Sequence, residues 1–294
     1  MAEEAALHIT APAKVNLFLH VTGRRADGYH ALESLFVFTR KGDELVLTPA
    51  DDLGFSLAGP FAPRLRALGG DGEGNLVVRA ARALADAAGR APSVHIELIK
   101  TLPVEAGIGG GSADAAAVLL GLNDLWGLGW SKDKLAEIAL TLGADVPACL
   151  YQEPLYVTGI GETVRRVTLP WTGALLLVNP GSGSATPAVF KAYKAAGTAF
   201  DAPLGLPEDA WQSPDSLKAD SHNSLEAAAL SLNPAIAEVL AVLCEEKAAR
   251  LVRMSGSGAT CFALFDSLKD AEAAADRLKA AHPAWWVMAD EIAL

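Results

Sequence analysis

Apolar and polar residues alternate through residues 7–21, with Val15, Leu17 and Leu19 set against Asn16, Phe18 and His20; the pattern predicts two short strands broken at Ala11-Pro12-Ala13. The stretch GRRADGYH follows, and its Asp27-Gly28 pair supplies hairpin chemistry between those strands and further ones at 35–38 and 45–47. Residues 49–74 are rich in Gly, Pro and Asp and read as irregular connection with a short strand at 55–57. Asn75 then introduces a helix over 76–88, with Leu76, Val77, Ala80 and Leu84 on one face and Gly89 as its stop. A strand at 94–99 feeds a glycine-rich stretch, 103–126, in which a helix starts near Ser112; its alanine load suits close packing on a second helix.

Ser131 is placed to cap a helix over 132–142 that Gly143 ends, and Ala144-Asp145-Val146-Pro147 follows at once. Strands are predicted at 156–158 and 175–178, and a second domain begins at 169. Thr186 reads as an N-cap with Pro187 at the first helical position, on a helix carrying Phe190 and Tyr193. Residues 197–220 predict a mobile loop. Helices at 224–230 and 234–249, strands at 251–253 and 260–265 around the turn SGSG, a helix at 268–281 and a strand at 285–288 complete an α+β pattern.

Composition narrows the partners. A formal charge of −11 on 294 residues leaves no basic stripe, which speaks against nucleic acid and anionic membrane. Three cysteines, Cys149, Cys244 and Cys261, show no CxxC spacing, so neither a disulfide framework nor a structural zinc site is expected and reduced cytoplasm suits the chain. Neither a signal sequence nor an apolar run of about 18 residues is present, and the expectation is a soluble protein.

The chemistry concentrates in a few places. Four glycines, Gly107, Gly109, Gly110 and Gly111, stand immediately before a helical run. Glycines reach positive φ and turn amides toward a ligand, and a helix N-terminus adds unpaired amides and about half a positive charge, so the stretch suits a phosphate chain. It serves equally as a turn that starts a buried helix. It lacks GxxxxGK[ST] and the GxGxxG dinucleotide pattern, and Ser112 is either a phosphate contact or simply the cap. A second small-residue turn, Met254-Ser255-Gly256-Ser257-Gly258-Ala259-Thr260, could be a second cradle or an ordinary β-turn.

Lys14 and Asp145 are a candidate charge pair, because phosphoryl transfer needs neutralisation of the moving charge and often a carboxylate to accept the hydroxyl proton. Each also has a plain explanation as a strand-end cation and a turn carboxylate. Asn16, two residues from Lys14, shares its sheet face. Tyr29 and His30 offer a stacking ring and an imidazole for a heterocyclic base, or are surface aromatics of a hairpin; Phe190 is a ligand platform or core.

Three segments, APAKVNLFLHVTGRRADGYH, PVEAGIGGGSADAAAVLLGLNDLW and MSGSGATCFALF, resemble the GHMP kinases in order and spacing, as do 75–77 and 143–147. Lys-x-Asn followed by Arg-x-Asp-Gly-Tyr-His is similar to the branch acting on 4-diphosphocytidyl-2-C-methyl-D-erythritol rather than to the homoserine, galactose or mevalonate branches. The resemblance implies a ribosomal-protein-S5-like N-terminal domain (1–168), a ferredoxin-like C-terminal domain (169–294) and a site in the cleft between them. It implies ATP and Mg²⁺ as cofactors and phosphorylation of the 2-hydroxyl of that cytidine-diphosphate substrate in the non-mevalonate route to isoprenoid precursors. Monomer or weak homodimer is the expected state.

By the same resemblance Asp145 is the catalytic base, Lys14 lies near the reacting hydroxyl and γ-phosphate, and Asn16 lines that pocket. Pro103, Val104, Glu105, Ala106, Gly107, Ile108, Gly109, Gly110, Gly111, Ser112 and Ala113 match the ATP phosphate loop, and Asn75 the adenine-side asparagine. Tyr29 and Phe190 resemble the rings that sandwich cytosine, with His30 reading its polar edge and Thr186 close to substrate. Ile108, where leucine is common, and the negative Glu105 are mild departures. Alternatives are a kinase of the same family acting on another small alcohol, such as homoserine or a sugar, and a silent nucleotide sensor; the intact Lys14 and Asp145 argue against the sensor.

Overall fold

The first strand, β1 (Leu7–Arg24), runs unbroken through Ala11-Pro12-Ala13, where the sequence predicts an interruption. Residues 11–21 are all buried, so their backbone groups need ladder partners, and a proline is tolerated in a strand where its missing N–H is not required. The strands predicted at 35–38 and 45–47 likewise merge into one, β2 (His30–Pro49). The computed structural model describes residues 6–206 and 211–294; residues 1–5 of the N-terminal stretch and 207–210 of the predicted loop lie outside the described residues.

The chain groups into two compact units, one of residues 1–13, 41–104 and 109–152, the other of 14–40, 105–108 and 153–294. In the first, β4 (Val94–Ile99) pairs antiparallel with residues 44–49 of β2 and parallel with β3 (Gly54–Ala58). A short helix, α1 (Ala62–Ala67), lies in the stretch predicted as irregular. The helices α2 (Leu76–Ala88), α3 (Gly110–Leu125), α4 (Lys132–Leu142) and α5 (Val146–Cys149) pack together, and α3 presses so closely on the sheet that a Cβ at Gly121 would meet Ile9 and Leu47. Asn75 and Ser131 cap α2 and α4 by accepting from the amides of Val77 and Lys134.

In the second unit, residues 32–36 of β2 pair with β5 (Leu155–Gly159), which pairs in turn with β6 (Thr163–Arg166). Four further strands, β7 (Ala174–Asn179), β8 (Leu251–Met254), β9 (Cys261–Phe265) and β10 (Trp286–Ala293), stand in the antiparallel order β10-β7-β9-β8. With helical connections after β7 and α10 (Leu268–Ala281) after β9, this is the split βαβ arrangement of a ferredoxin-like fold. The core joins Leu176, Val178 and Ala263 of the sheet to Val189 and Tyr193 of α6 (Thr186–Ala196), Ala229 of α8 (Glu226–Leu232), Val239 of α9 (Ala235–Cys244) and Leu278 of α10.

Much of the predicted mobile loop is tied down. Helix α7 (Pro214–Asp220) carries a capping box between Ser213 and Ser216, and Trp211 is buried against Phe18. The buried Glu33 accepts the amides of Leu204 and Gly205 at 2.7 Å each and the hydroxyl of Tyr156. Arg253, buried in the second unit, donates to the carbonyls of Leu17, Lys218 and Ser221. The capping box is local, but the ties through Trp211, Glu33 and Arg253 join residues far apart in sequence, which composition cannot register. Among the described residues no helix is long and apolar enough to cross a membrane.

Candidate active site

Residues 105–108 of the glycine stretch are held by four successive carbonyls. Glu105 O accepts the amide of Ser184 at 2.9 Å, Ala106 O that of Thr260 at 3.0 Å, Gly107 O the hydroxyl of Ser255 at 3.0 Å, and Ile108 O the amide of Lys14 at 3.0 Å. With those carbonyls committed, the amides of Gly107, Ile108 and Gly109 donate to no protein acceptor among the described residues. Gly107 sits at φ 73°, and a Cβ there would stand 2.4 Å from the Ser255 carbonyl oxygen, so only glycine fits.

Helix α3 opens at Gly110, with Gly109 in the left-handed region as its N-cap, two residues before the start predicted near Ser112. Ser112 is therefore inside the first turn, where the amides of Gly110, Gly111 and Ser112 are open. These backbone donors fit a nucleotide's phosphates, since they present N–H groups and a helix N-terminus with no competing protein acceptor. Ala106, Ile108 and Ala113 are buried as packing residues and Glu105 is exposed to solvent. Pro103 is buried and Val104 half-buried at the entry to the loop.

Ser255 links this backbone to the strand bearing the predicted cation. Its hydroxyl, donating to Gly107 O, accepts the amide of Asn16 at 3.0 Å. Asn16 Oδ1 accepts from Lys14 Nζ at 2.9 Å, and Asn16 Nδ2 donates to Ser34 Oγ at 2.9 Å, which in turn donates to Phe18 O. A lysine ammonium only donates, so it fixes which end of the Asn16 amide faces it. Lys14 also lies 3.9 Å from the centroid of Phe36 in a cation–π contact. The second glycine-rich turn is thus a support for the first; sequence reasoning singled out that turn but not Ser255 or Ser34, whose partners lie far along the chain.

The aromatic candidates gather in the same unit. His30 stacks on Phe190 with centroids 5.1 Å apart and meets Tyr193 edge-on, while Tyr29 is 62% exposed at the hairpin. Burial, aided by the cations of Arg24 and Lys194, holds the His30 imidazole below its usual value, which favours the neutral ring. Thr186 is not the N-cap the sequence predicts. Ala185 holds that position, and the Thr186 hydroxyl shares a 2.8 Å hydrogen bond with Ser257 of the small-residue turn.

In the first unit Asn75 commits both side-chain ends, accepting from Val77 N at 2.9 Å and donating to Gly70 O at 2.6 Å. Asp145 stands at the N-cap position of α5, half-buried, without a side-chain cap bond. Among the described residues no cluster of three or more His, Cys, Asp or Glu could hold a metal ion.

Comparison with known proteins places these elements. The GHMP kinases N-terminal domain profile matches residues 75–153 and the GHMP kinases C-terminal profile residues 208–284. The 4-diphosphocytidyl-2-C-methyl-D-erythritol kinase of Paramagnetospirillum magneticum is 48% identical over 95% of this chain and 96% of its own length. The enzyme of the same name from Sinorhizobium medicae is 46% identical over 98% and 96%. A crystal structure of 4-(cytidine 5'-diphospho)-2C-methyl-D-erythritol kinase superposes with a TM-score of 0.78 at 35% identity, covering 98% of this chain and all of that one. Homoserine kinase from Cytophaga hutchinsonii shares the fold at a TM-score of 0.73 and 18% identity, over 99% of this chain and 96% of its own. A glycine loop anchored by four carbonyls, a Lys-Asn pair wired to it and relatives of this identity lead to one assignment: the chain belongs to the GHMP kinase family, whose members are ATP-dependent kinases.

Proposed function

We propose that this chain transfers the γ-phosphoryl group of ATP to the 2-hydroxyl of 4-diphosphocytidyl-2-C-methyl-D-erythritol, a step of non-mevalonate isoprenoid precursor synthesis in the cytoplasm. The observation that carries it is the hydrogen-bonded path from Gly107 O through Ser255 to Asn16 and Lys14, which ties a phosphate-binding backbone to the cation of the acceptor side. The names of relatives at 48% and 46% identity support the substrate.

In this reading the loop from Pro103 to Ala113 holds the phosphates through its amides, and Asn75 borders the adenine with the hydrogen-bonding capacity its cap leaves over. Asp145 accepts the proton of the acceptor hydroxyl as its oxygen bonds to the γ-phosphorus and the bridge to ADP breaks. Lys14 offsets the charge on the transferring group, and Asn16 keeps that ammonium aimed. Mg²⁺ bound together with the nucleotide would supply further charge neutralisation. Tyr29 and Phe190 hold cytosine, with Thr186 beside the substrate. A neutral His30 reads the base's polar edge, since it can both donate and accept there.

The matched profiles lie on either side of residues 168 and 169, which is consistent with a division into domains 1–168 and 169–294. A monomer or weak homodimer is part of the same proposal. The test is ADP release from ATP and Mg²⁺ across a panel of alcohols with and without a diphosphocytidyl group. Turnover is expected only with the cytidyl alcohol; turnover confined to homoserine or sugars would overturn the reading.

A further inference from the structure

At the base of the glycine loop, within the first unit, a buried ammonium lies between two buried carboxylates. Lys100 Nζ is 2.5 Å from Asp43 Oδ2 and 2.7 Å from Asp114 Oδ2, and none of the three residues is more than 3% exposed. Asp43 Oδ1 accepts the amides of Thr101 and Leu102 at 2.6 and 2.8 Å. Asp114 projects from the start of α3, and its Oδ1 has no partner among the described residues. A Cβ on Gly110 would stand 3.0 Å from Lys100 Nζ, so the ammonium lies directly against the first residue of that helix.

The cluster therefore joins the backbone just before the loop, at 101 and 102, to the helix just after it, at 110 and 114. Burying three ionisable groups costs several kcal/mol per ion, and an apolar cluster of equal volume would often be as stable, so the arrangement offers geometric definition rather than stability. Burial pushes the Asp114 carboxyl well above the usual carboxylate range, with Lys100 opposing and Asp43 adding to it.

We propose that Lys100, Asp43 and Asp114 are positioning residues that set the separation of the two ends of the ATP loop, and thereby its affinity for ATP, without touching the nucleotide. The inference rests on the reading of residues 103–113 as the phosphate loop. Phosphate cradles work only when their amides are held to about half an ångström, so a loop with slack ends loses nucleotide affinity first.

The experiment measures KM for ATP, KM for the cytidyl alcohol, kcat and the melting temperature in four variants of the full chain. Lys100→Met/Asp43→Asn removes the pair together, and Asp114, then buried with no cation beside it, takes up a proton rather than stand as a lone charge; the variant is expected to raise KM for ATP about tenfold or more while KM for the alcohol stays within about twofold. Asp114→Asn keeps an acceptor for Lys100 and stays near the parent, whereas Asp114→Leu follows the double variant. An unchanged KM for ATP in the double variant overturns the proposal. If that variant does not fold, equal KM values in Asp114→Asn and Asp114→Leu overturn it instead. Gly111→Asp separates the two readings, because its side chain has room and sits on the exposed first turn, where an aspartate suits the helix but repels phosphate. An ATP KM unmoved by Gly111→Asp defeats the loop assignment; one raised by Gly111→Asp alone defeats the clamp.

Discussion

The imidazole of His30 lies over the ring of Phe190, with centroids 5.1 Å apart and planes 20° from parallel. One residue comes from the strand that follows the hairpin, the other from helix α6, and Tyr193 closes on the imidazole from its edge at 5.9 Å. The family resemblance implies Tyr29 and Phe190 as the two rings around cytosine, and Phe190 carries His30 on one face. Phe190→Ala is expected to weaken binding of the cytidyl alcohol by about 1–3 kcal/mol, the worth of one base–aromatic stack, with ATP affinity unaltered. Calorimetric titration with each ligand separately checks this; equal affinity for the alcohol would remove Phe190 from the pocket.

Asp145→Asn should lower kcat at least about a hundredfold, the smaller end of what a positioned base contributes, while both ligands still bind. Single-turnover ADP formation is the measurement. Near-parent rates would mean that the hydroxyl proton leaves by another route.

His20 is buried, its Nε2 accepts the amide of His222 at 3.2 Å, and its Nδ1 has no partner among the described residues. Burial, then the neighbouring His222, lowers its value from the ordinary 6.5. The unfolded chain therefore binds this proton more tightly than the folded one, so the stabilising contribution is complete above about pH 6.5 and is lost as pH falls through the lowered folded value. Urea midpoints measured across that window should decline on the acid side, and His20→Gln should flatten the decline. A midpoint that rises toward acid would contradict the assignment.

Arg253→Leu should destabilise the second unit by about 3 kcal/mol, since the buried carbonyl acceptors of Leu17 and Ser221 and the part-buried one of Lys218 lose their donor at once. The guanidinium is itself desolvated, its value pushed down to about 10 by burial, so part of the loss is offset by no longer burying a charge. Thermal melts read the outcome, and a change below about 0.5 kcal/mol, the usual range for surface substitutions, would show that these bonds contribute little.

Local signals carried the elements whose causes are local. Helices α2 and α4 begin and end where the sequence placed them because Asn75 and Ser131 each accept an amide of the first turn and a glycine follows each last residue. Strand β4 was legible from its alternation alone. Thr186-Pro187 resembled a cap of the same kind, but the threonine hydroxyl found Ser257, 71 residues away, and the cap position passed to Ala185. Pro12 resembled a break, and burial of the strand from Ala11 to Val21 overrode it.

The candidate site divides along the same line. Its glycines, Lys14, Asn16 and the aromatic residues are types that suggest chemistry on sight. Ser255, Ser34 and the Lys100–Asp43–Asp114 cluster are not: a serine in a turn, a lysine ending a strand and an aspartate in an alanine-rich helix look ordinary until their partners are known. Within the stretch from 197 to 220 the helix at 214–220 went unforeseen despite its local capping box, and the bonds to Glu33 and Arg253 come from positions that no local window spans.

The four carbonyls of residues 105–108 have a further consequence for how the protein is made. Their donors, Lys14, Ser184, Ser255 and Thr260, are spread over most of the chain, and three of the four are synthesised after the loop itself. A nascent chain that has emerged only through residue 152 holds all of the first compact unit, yet has just one of those donors. The loop thus acquires its last anchors late in translation, when the turn at 254–260 arrives, and a truncated product ending before that turn lacks two of the four donors however well its helices fold.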